Sequence, residues 1–495
     1  MTYGLILADG WGQYNDFRIG LRRAISAHEL AHFLRENEYE VDVVDFMYEF
    51  TAADIAKILN NISSNAPKFI GVSVTLAKEY KHWDQVIKTI RNMFPEITVI
   101  VFGERVLRLD YFGADFYIEG YAETAFLNII QSSDVKYVDI GNRKLVQEKD
   151  YPNKLLEKSF TTWHLETDFV TSAEAPFVSF SRGCVFNCAF CNHSLVGVSK
   201  LEFERSKVAI KDSIMRMYTK FGVTKFMISD STFNDYEWKA DLLLEIAKEI
   251  PAKLEIVCFL RVDLLYRQTG LLEKLVEAGV KAVHFGIDSM HPETSKIIGK
   301  KVDPATIKEY LIAIRHKFPD LFMYGTFIAG LPKDTVENQL ETLQWLKESR
   351  VLDNWYWFPL SIKTANNAAS GESLSPIDKD PVKYGYTDKS YQAELANGRG
   401  GRDRNFIPIN WSNDYTSFES AIQTCNRINA ESNAYVKFNP WVMFSAAVVY
   451  KDIDWWIKFE SVGDYMTPII NNTAKLIEDY KTKKLQYFDT FTASP

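Results

Sequence analysis

Short apolar stretches alternate with amphipathic helix patterns along most of this chain, in two separate series. Strands that recur after a helix-length connection pair in parallel, and a parallel sheet needs helices on its faces. The first series runs through strands at Tyr3–Ala8, Tyr39–Phe46, Phe69–Thr75, Ile97–Phe102 and Asp115–Ile118. Helices are expected around Leu21–Leu34, Ala53–Ile62, Trp83–Met93 and from Glu123. This predicts a Rossmann-like, doubly wound parallel sheet over residues 1–132. Ligands of such sheets sit beyond the carboxyl ends of the strands, here at Asp9-Gly10, Ser73-Val-Thr75 and Gly103-Glu104. Residues 133–176 lose the periodicity and carry Pro152 and Pro176, so a connection is expected there. The second series begins at 177, with strands at Phe177–Ser181, Lys225–Ser229, Leu254–Leu260, Ala282–Ile287, Phe322–Ile328 and Trp355–Leu360. Six β/α units over 177–362 predict a partial (β/α)6 TIM barrel with its chemistry at the strand carboxyl ends. Residues 363–495 form a third, mixed region, with helices expected at Thr416–Ser432 and Asn472–Lys484. At 495 residues the chain is long enough for this division.

The loop after the first barrel strand is Ser181-Arg-Gly-Cys-Val-Phe-Asn-Cys-Ala-Phe-Cys-Asn-His193. It holds three of the five cysteines, Cys184, Cys188 and Cys191, spaced C-x3-C-x2-C. Two sites suit that set. A structural zinc would take the three thiolates with His193. A [4Fe–4S] cluster would take the three thiolates and leave one iron open, since four ligands is its usual complement.

The segments beyond this loop resemble the radical SAM superfamily. Ile228-Ser-Asp-Ser-Thr-Phe233 is similar to the polar end of that family's second barrel strand, and Phe259-Leu-Arg-Val-Asp263 to the third. Phe285-Gly-Ile-Asp-Ser289 looks like the G-I-E-S strand end, with Asp288 in place of Glu. Phe327-Ile-Ala-Gly-Leu-Pro-Lys-Asp-Thr335 is similar to the G-L-P-G-E-T turn, with Lys333 for Gly and Asp334 for Glu. The resemblance implies a [4Fe–4S] cluster on Cys184, Cys188 and Cys191, whose open iron chelates S-adenosylmethionine (SAM). Reductive cleavage then gives a 5′-deoxyadenosyl radical that abstracts hydrogen from a substrate. It also implies SAM contacts from Phe190, Asp230, Ser231, Arg261, Asp288, Ser289 and Gly330. A flavodoxin or ferredoxin would supply the electron.

Residues 3–130 resemble the cobalamin-binding-like domain that precedes the barrel in one class of the superfamily, with Gly120-Tyr-Ala-Glu123 similar to its closing G-E-x-E segment. The usual D-x-H-x-x-G is degraded to Asp16-Phe-Arg-Ile-Gly20, and Arg18, always protonated, cannot ligate cobalt. Cobalamin could still bind without a protein His ligand, against Ser73, Thr75 and Gly103, although many members keep this fold with no cobalamin. Residues 1–183 have no cysteine and only Cys425 lies beyond the barrel. That disfavours second-cluster methylthiotransferases and auxiliary-cluster enzymes alike. Cys258 and Cys425 are expected to be buried.

His28-Glu-Leu-Ala-His32 is a formal H-E-x-x-H zinc motif. It falls on a crossover helix with no third ligand in sight, so a packing role is expected. Asn397-Gly-Arg-Gly-Gly-Arg-Asp-Arg404 has phosphate-gripping residues but no preceding strand. Trp411, Trp441, Trp455 and Trp456 are candidates for a lid over the barrel or for a small-domain core. The net charge of -8 gives no reason to expect a large nucleic acid. No apolar run suits a membrane span and the N-terminus reads as a strand, so a cytoplasmic enzyme acting on a small molecule, nucleoside or peptide is expected.

Overall fold

The computed structural model describes residues 2–9, 22–65, 67–74, 80–103, 113–132, 134–140, 143–147, 163–164, 166–191, 204–362, 375–388, 410–431 and 462–492. Thr75, Arg18, His193, the 397–404 segment, Trp441, Trp455 and Trp456 lie outside the described residues.

The N-terminal sheet contains β1 (Thr2–Ala8), β2 (Tyr39–Val44), β3 (Phe69–Ser73), β4 (Thr98–Phe102), β5 (Phe116–Glu119), β6 (Val138–Ile140) and β7 (Arg143–Gln147). Its order is β2-β1-β3-β4-β5-β7-β6, parallel except for the β6–β7 pair. One face packs on α1 (Ile25–Arg35) and α4 (Glu123–Gln131), the other on α2 (Ala52–Ile62) and α3 (Tyr80–Met93). A reciprocal capping box starts α2: Asp54 N–H donates to Thr51 Oγ1 at 3.2 Å and Thr51 N–H to Asp54 Oδ2 at 2.8 Å. Strands β6 and β7 fall where a connection is expected from sequence. Both are short, and β6 is an exposed edge, so neither leaves a hydrophobic period to read.

The barrel sheet runs in chain order: β8 (Phe177–Val178), β9 (Lys225–Ile228), β10 (Glu255–Leu260), β11 (Val280–Asp288), β12 (Phe322–Ala329) and β13 (Asn354–Pro359), all parallel. Neighbouring strands pair from β8 to β13 and no pairing joins β13 back to β8 among the described residues, so the barrel is partial. Helices α5 (Lys207–Phe221), α6 (Glu237–Glu249), α7 (Val262–Leu265), α8 (Leu271–Glu277), α9 (Pro292–Ile297), α10 (Pro304–Lys317) and α11 (Val336–Ser349) surround it. Beyond it come α12 (Pro376–Lys379), α13 (Phe418–Glu431) and α14 (Val462–Asp489).

The third region does not form a separate layer. Trp411 and α13 join the barrel core, with Trp411 Nε1 donating to Leu360 O at 2.9 Å. Trp411 is therefore core rather than lid. By contrast, α14 crosses back to the N-terminal sheet, where Ile477, Tyr480 and Phe488 complete the core under α2. Tyr480 Oη accepts the Asp45 amide at 2.8 Å, and Lys484 Nζ donates to Thr167 O at 2.7 Å.

Gly330, at the end of β12, has φ 90°, and a Cβ there would lie 2.1 Å from the Trp411 ring. Gly330→Ala adds backbone strain to that overlap and is expected to cost roughly 3 kcal/mol or more, read from a urea unfolding midpoint. Packing alone requires a glycine here, and Tyr386 Oη donates to its carbonyl at 2.7 Å.

Candidate active site

The three cysteines are half-buried on the loop that follows β8. Backbone bonds fix this loop: Cys191 N–H to Cys188 O at 3.0 Å, Ala189 N–H to Ile298 O at 3.3 Å, and Ile377 N–H to Ala189 O at 2.9 Å. Arg261, at the end of β10, donates to Cys188 Sγ at 3.3 Å, and Thr232 Oγ1 lies 3.5 Å from Cys184 Sγ. Asp263 grips the other edge of the Arg261 guanidinium, at 3.0 and 2.8 Å. Lys300 approaches from beyond α9, donating to Gly286 O at 2.8 Å and pairing with Asp288 Oδ2 at 2.6 Å. Burial raises the Cys188 thiol pKa, and Lys300 and Arg261 oppose that rise. Two cations facing a thiol cluster suit thiolates and the negative charge of a cluster bound to them. Sequence reasoning misses Thr232 and Lys300. Thr232 sits inside a quoted motif, whereas Lys300 belongs to a Gly-Lys-Lys loop with no distinguishing signal.

Among the described residues no three His, Cys, Asp or Glu side chains converge on one metal ion. A four-iron cluster makes no such demand, because each thiolate binds a different iron.

Beside the loop is an open cavity of about 280 Å³ at the carboxyl end of the strands. Phe190, Asp288, Thr326, Ile328, Phe358 and Asp378 are among its walls. Asp288 has φ 69°, a conformation uncommon for a residue with a Cβ. Further down the barrel, the His284 ring lies tilted to Phe259 and edge-on to Tyr324, with centroids 4.5 and 4.7 Å away, and bonds Thr326 Oγ1 at 3.0 Å. Burial pushes its pKa down to about 3, so it is neutral at physiological pH.

The other expected contacts divide. Arg261, Asp288 and Phe190 meet at the cysteines and the cavity. Asp230 does not stand open to SAM: it accepts Phe180 N–H at 2.7 Å, Ser181 Oγ at 2.8 Å and Lys239 Nζ at 2.6 Å, fully buried. It is an anchor for the start of the cysteine loop. Ser231 is exposed. Ser289 Oγ turns away to Asp334 Oδ2 at 3.3 Å. In the N-terminal domain Ser73 ends β3 and is fully buried, and Gly103 (φ 131°) follows the adjacent strand β4.

Burial raises the Asp334 pKa from 3.8 to about 7. The folded state therefore holds this proton more tightly than the unfolded chain, so its contribution to stability falls as pH rises from about 4 to 7. Asp334→Asn removes that slope. The variant is expected to gain on the wild type by a few kcal/mol (~1.4 per pH unit) between pH 4 and 7, measured by urea unfolding at each pH.

The H-E-x-x-H helix is a packing element. His28 is buried between Asp45 (2.8 Å) and Asp168 (3.4 Å). Burial lowers its pKa, but the two carboxylates outweigh burial and leave it raised. Glu29 accepts from Arg182 and Arg205, so neither group is arranged for zinc. Cys258 and Cys425 are buried, and burial pushes the Cys425 thiol up to about 12. Neither is poised as a thiolate.

Comparison with known proteins gives this site its chemistry. Residues 178–346 match the family model described as Radical SAM superfamily. A protein of Pyrococcus horikoshii named uncharacterized methyltransferase PH0819 is 26% identical over 347 residues, 64% of this chain and 72% of that one. The ribosomal protein uS12 methylthiotransferase RimO of Clostridium botulinum is 22% identical over 271 residues, 53% of each chain, so this chain spans about half of that relative. The methyltransferase TsrM from Kitasatospora setae, solved with cobalamin and a [4Fe-4S] cluster bound, superposes with a TM-score of 0.62 at 12% identity. The match covers 97% of this chain and 100% of TsrM, and supports a common fold. The radical SAM match resolves the choice between cluster and zinc: it implies a [4Fe–4S] cluster and SAM.

Proposed function

Because residues 178–346 match the radical SAM superfamily and the fold is shared with TsrM, we propose that the chain is a radical SAM enzyme of the class with a cobalamin-binding-like domain before the barrel, and that it transfers a methyl group from SAM to a carbon of its substrate. One observation carries the reading: Cys184, Cys188 and Cys191 sit under Arg261 and Lys300 at the mouth of a barrel docked to a Rossmann-like sheet. The relative named as a methyltransferase supports the methyl outcome. The absence of cysteine from residues 1–183 argues against methylthio transfer through a second cluster. Bound at the three thiolates, the cluster would supply the electron that cleaves SAM.

The chain's own groups would do the rest. Arg261 and Lys300 balance charge at the thiolates. Phe190, Asp288, Ser361 and Asp378 line the space beside them, where SAM would lie. The neutral His284 and its aromatic neighbours keep the barrel interior free of a competing charge. Ser73 and Gly103, with Thr75 two positions beyond Ser73 in sequence, would hold cobalamin without a protein ligand to cobalt. A flavodoxin or ferredoxin would deliver electrons, and the substrate class includes small molecules, nucleosides and peptides.

Anaerobic reconstitution tests this. About four irons per chain, 5′-deoxyadenosine from SAM under reductant, bound corrinoid and S-adenosylhomocysteine are expected. Iron and SAM cleavage without corrinoid or S-adenosylhomocysteine would replace methyl transfer by rearrangement or oxidation. Colourless protein with no SAM cleavage defeats the whole reading.

A further inference from the structure

We propose that Arg182 is a positioning residue for the cluster, and that the N-terminal domain sets the cysteine loop through it. The inference rests on the cluster being held by Cys184, Cys188 and Cys191.

Arg182 precedes Cys184 by two residues, across Gly183 at φ 78°. Its side chain leaves the barrel and enters the N-terminal domain. There Nη2 donates to Glu29 Oε2 on α1 and to Glu123 Oε1, the first residue of α4, both at 2.5 Å. The Tyr121 ring lies 4.3 Å beneath the guanidinium. Arg205, beyond the loop, donates to the second oxygen of Glu29. Its Nε donates to Ser179 Oγ at 3.1 Å and its amide to Phe180 O at 3.0 Å. A bridge between Ser181 and Glu204 closes the neck of the loop.

Glu29 thus holds both ends of the segment that carries all three cysteines, one carboxylate oxygen for each arginine. Glu123 supplies the second negative charge, so two arginines face two carboxylates and all four side chains are buried. A surface ion pair would yield under load. A buried, charge-matched pair resists, because separating it leaves ions without partners in a poor solvent. The sulfurs' freedom at the cluster is limited by a clamp whose jaws belong to the other domain. Glu123, the last residue of Gly120-Tyr-Ala-Glu123, thereby acquires a role outside its own domain, because it reaches across to the cluster loop.

The test uses the full chain, reconstituted anaerobically with iron and sulfide. Glu123→Gln and Arg182→Lys keep size and, for Lys, charge, so both are expected to fold with wild-type circular dichroism. Glu123→Gln is expected to lose at least threefold in iron per chain and to broaden the EPR signal of the reduced cluster. Arg182→Lys, which keeps the positive charge, is expected to show a smaller loss of iron and less broadening. A reciprocal readout covers variants that fold poorly: stripping the wild-type cluster with a chelator should raise hydrogen exchange in Ile25–Arg35. Full iron, an unchanged EPR spectrum in both variants and exchange indifferent to the cluster would reduce the clamp to mere domain docking. Wild-type protein that takes up no iron defeats the cluster assignment itself, and the clamp with it.

Discussion

Cys184→Ala, Cys188→Ala and Cys191→Ala are each expected to lower iron from about four per chain to below one and to abolish 5′-deoxyadenosine formation. Three thiolates on one short loop are the proposed protein ligand set, and the other two cysteines are buried elsewhere, Cys258 in β10 and Cys425 in α13. The matched controls are Cys258→Ala and Cys425→Ala, which should keep the brown colour and SAM cleavage. Iron content by colorimetric assay and nucleoside by chromatography decide the matter. An alanine variant at 184, 188 or 191 that retained full iron would show that the cluster lies elsewhere.

Lys239→Met should be the most damaging single change to the fold around the site, costing about 3–5 kcal/mol. Lys239 is completely buried, and its ammonium donates to Asp230 at 2.6 Å, to Ser181 Oγ at 2.7 Å and pairs with Asp235 at 2.9 Å. Methionine fills the space but leaves two buried carboxylates without a counter-charge. Asp230 also accepts the Phe180 amide, so the loss reaches the backbone immediately before the cysteine loop. Urea unfolding should show the drop in stability. The double variant Lys239→Met/Asp230→Asn should recover part of it, because it removes one of the two unpaired carboxylates and leaves only Asp235 without its counter-charge. A single variant as stable as wild type would mean that water reaches Asp230.

Much of this architecture could be read from residues alone, since a β/α alternation is written locally. Strands β1 to β5 and β8 to β13 announce themselves by runs such as Val-Ile-Val-Phe102 between amphipathic helices. The cysteine spacing is equally local. The features that escape sequence reading depend on contacts between distant segments. Asp230 looks like any acidic strand end until Lys239 is seen folded under it. Gly330 gives no local sign that Trp411, eighty-one positions later, packs against it. The Glu of H-E-x-x-H suggests zinc chemistry, while its actual partners lie 153 and 176 residues away. The helix Val462–Asp489 is visible as a helix, yet its apolar stripe gives no sign of which domain it covers.

That last helix has a consequence for the order in which the protein is made. Asp45 and Tyr480, hydrogen-bonded in the finished fold, are 435 positions apart. A ribosome adding about 5–20 residues per second needs roughly 20–90 s to pass from one to the other. Throughout that interval the N-terminal sheet can pair its strands, but the apolar surface later covered by Ile477, Tyr480 and Phe488 stays uncovered. The first domain therefore keeps an unfinished core while the barrel is being synthesised, and completes it only when Val462–Asp489 has followed.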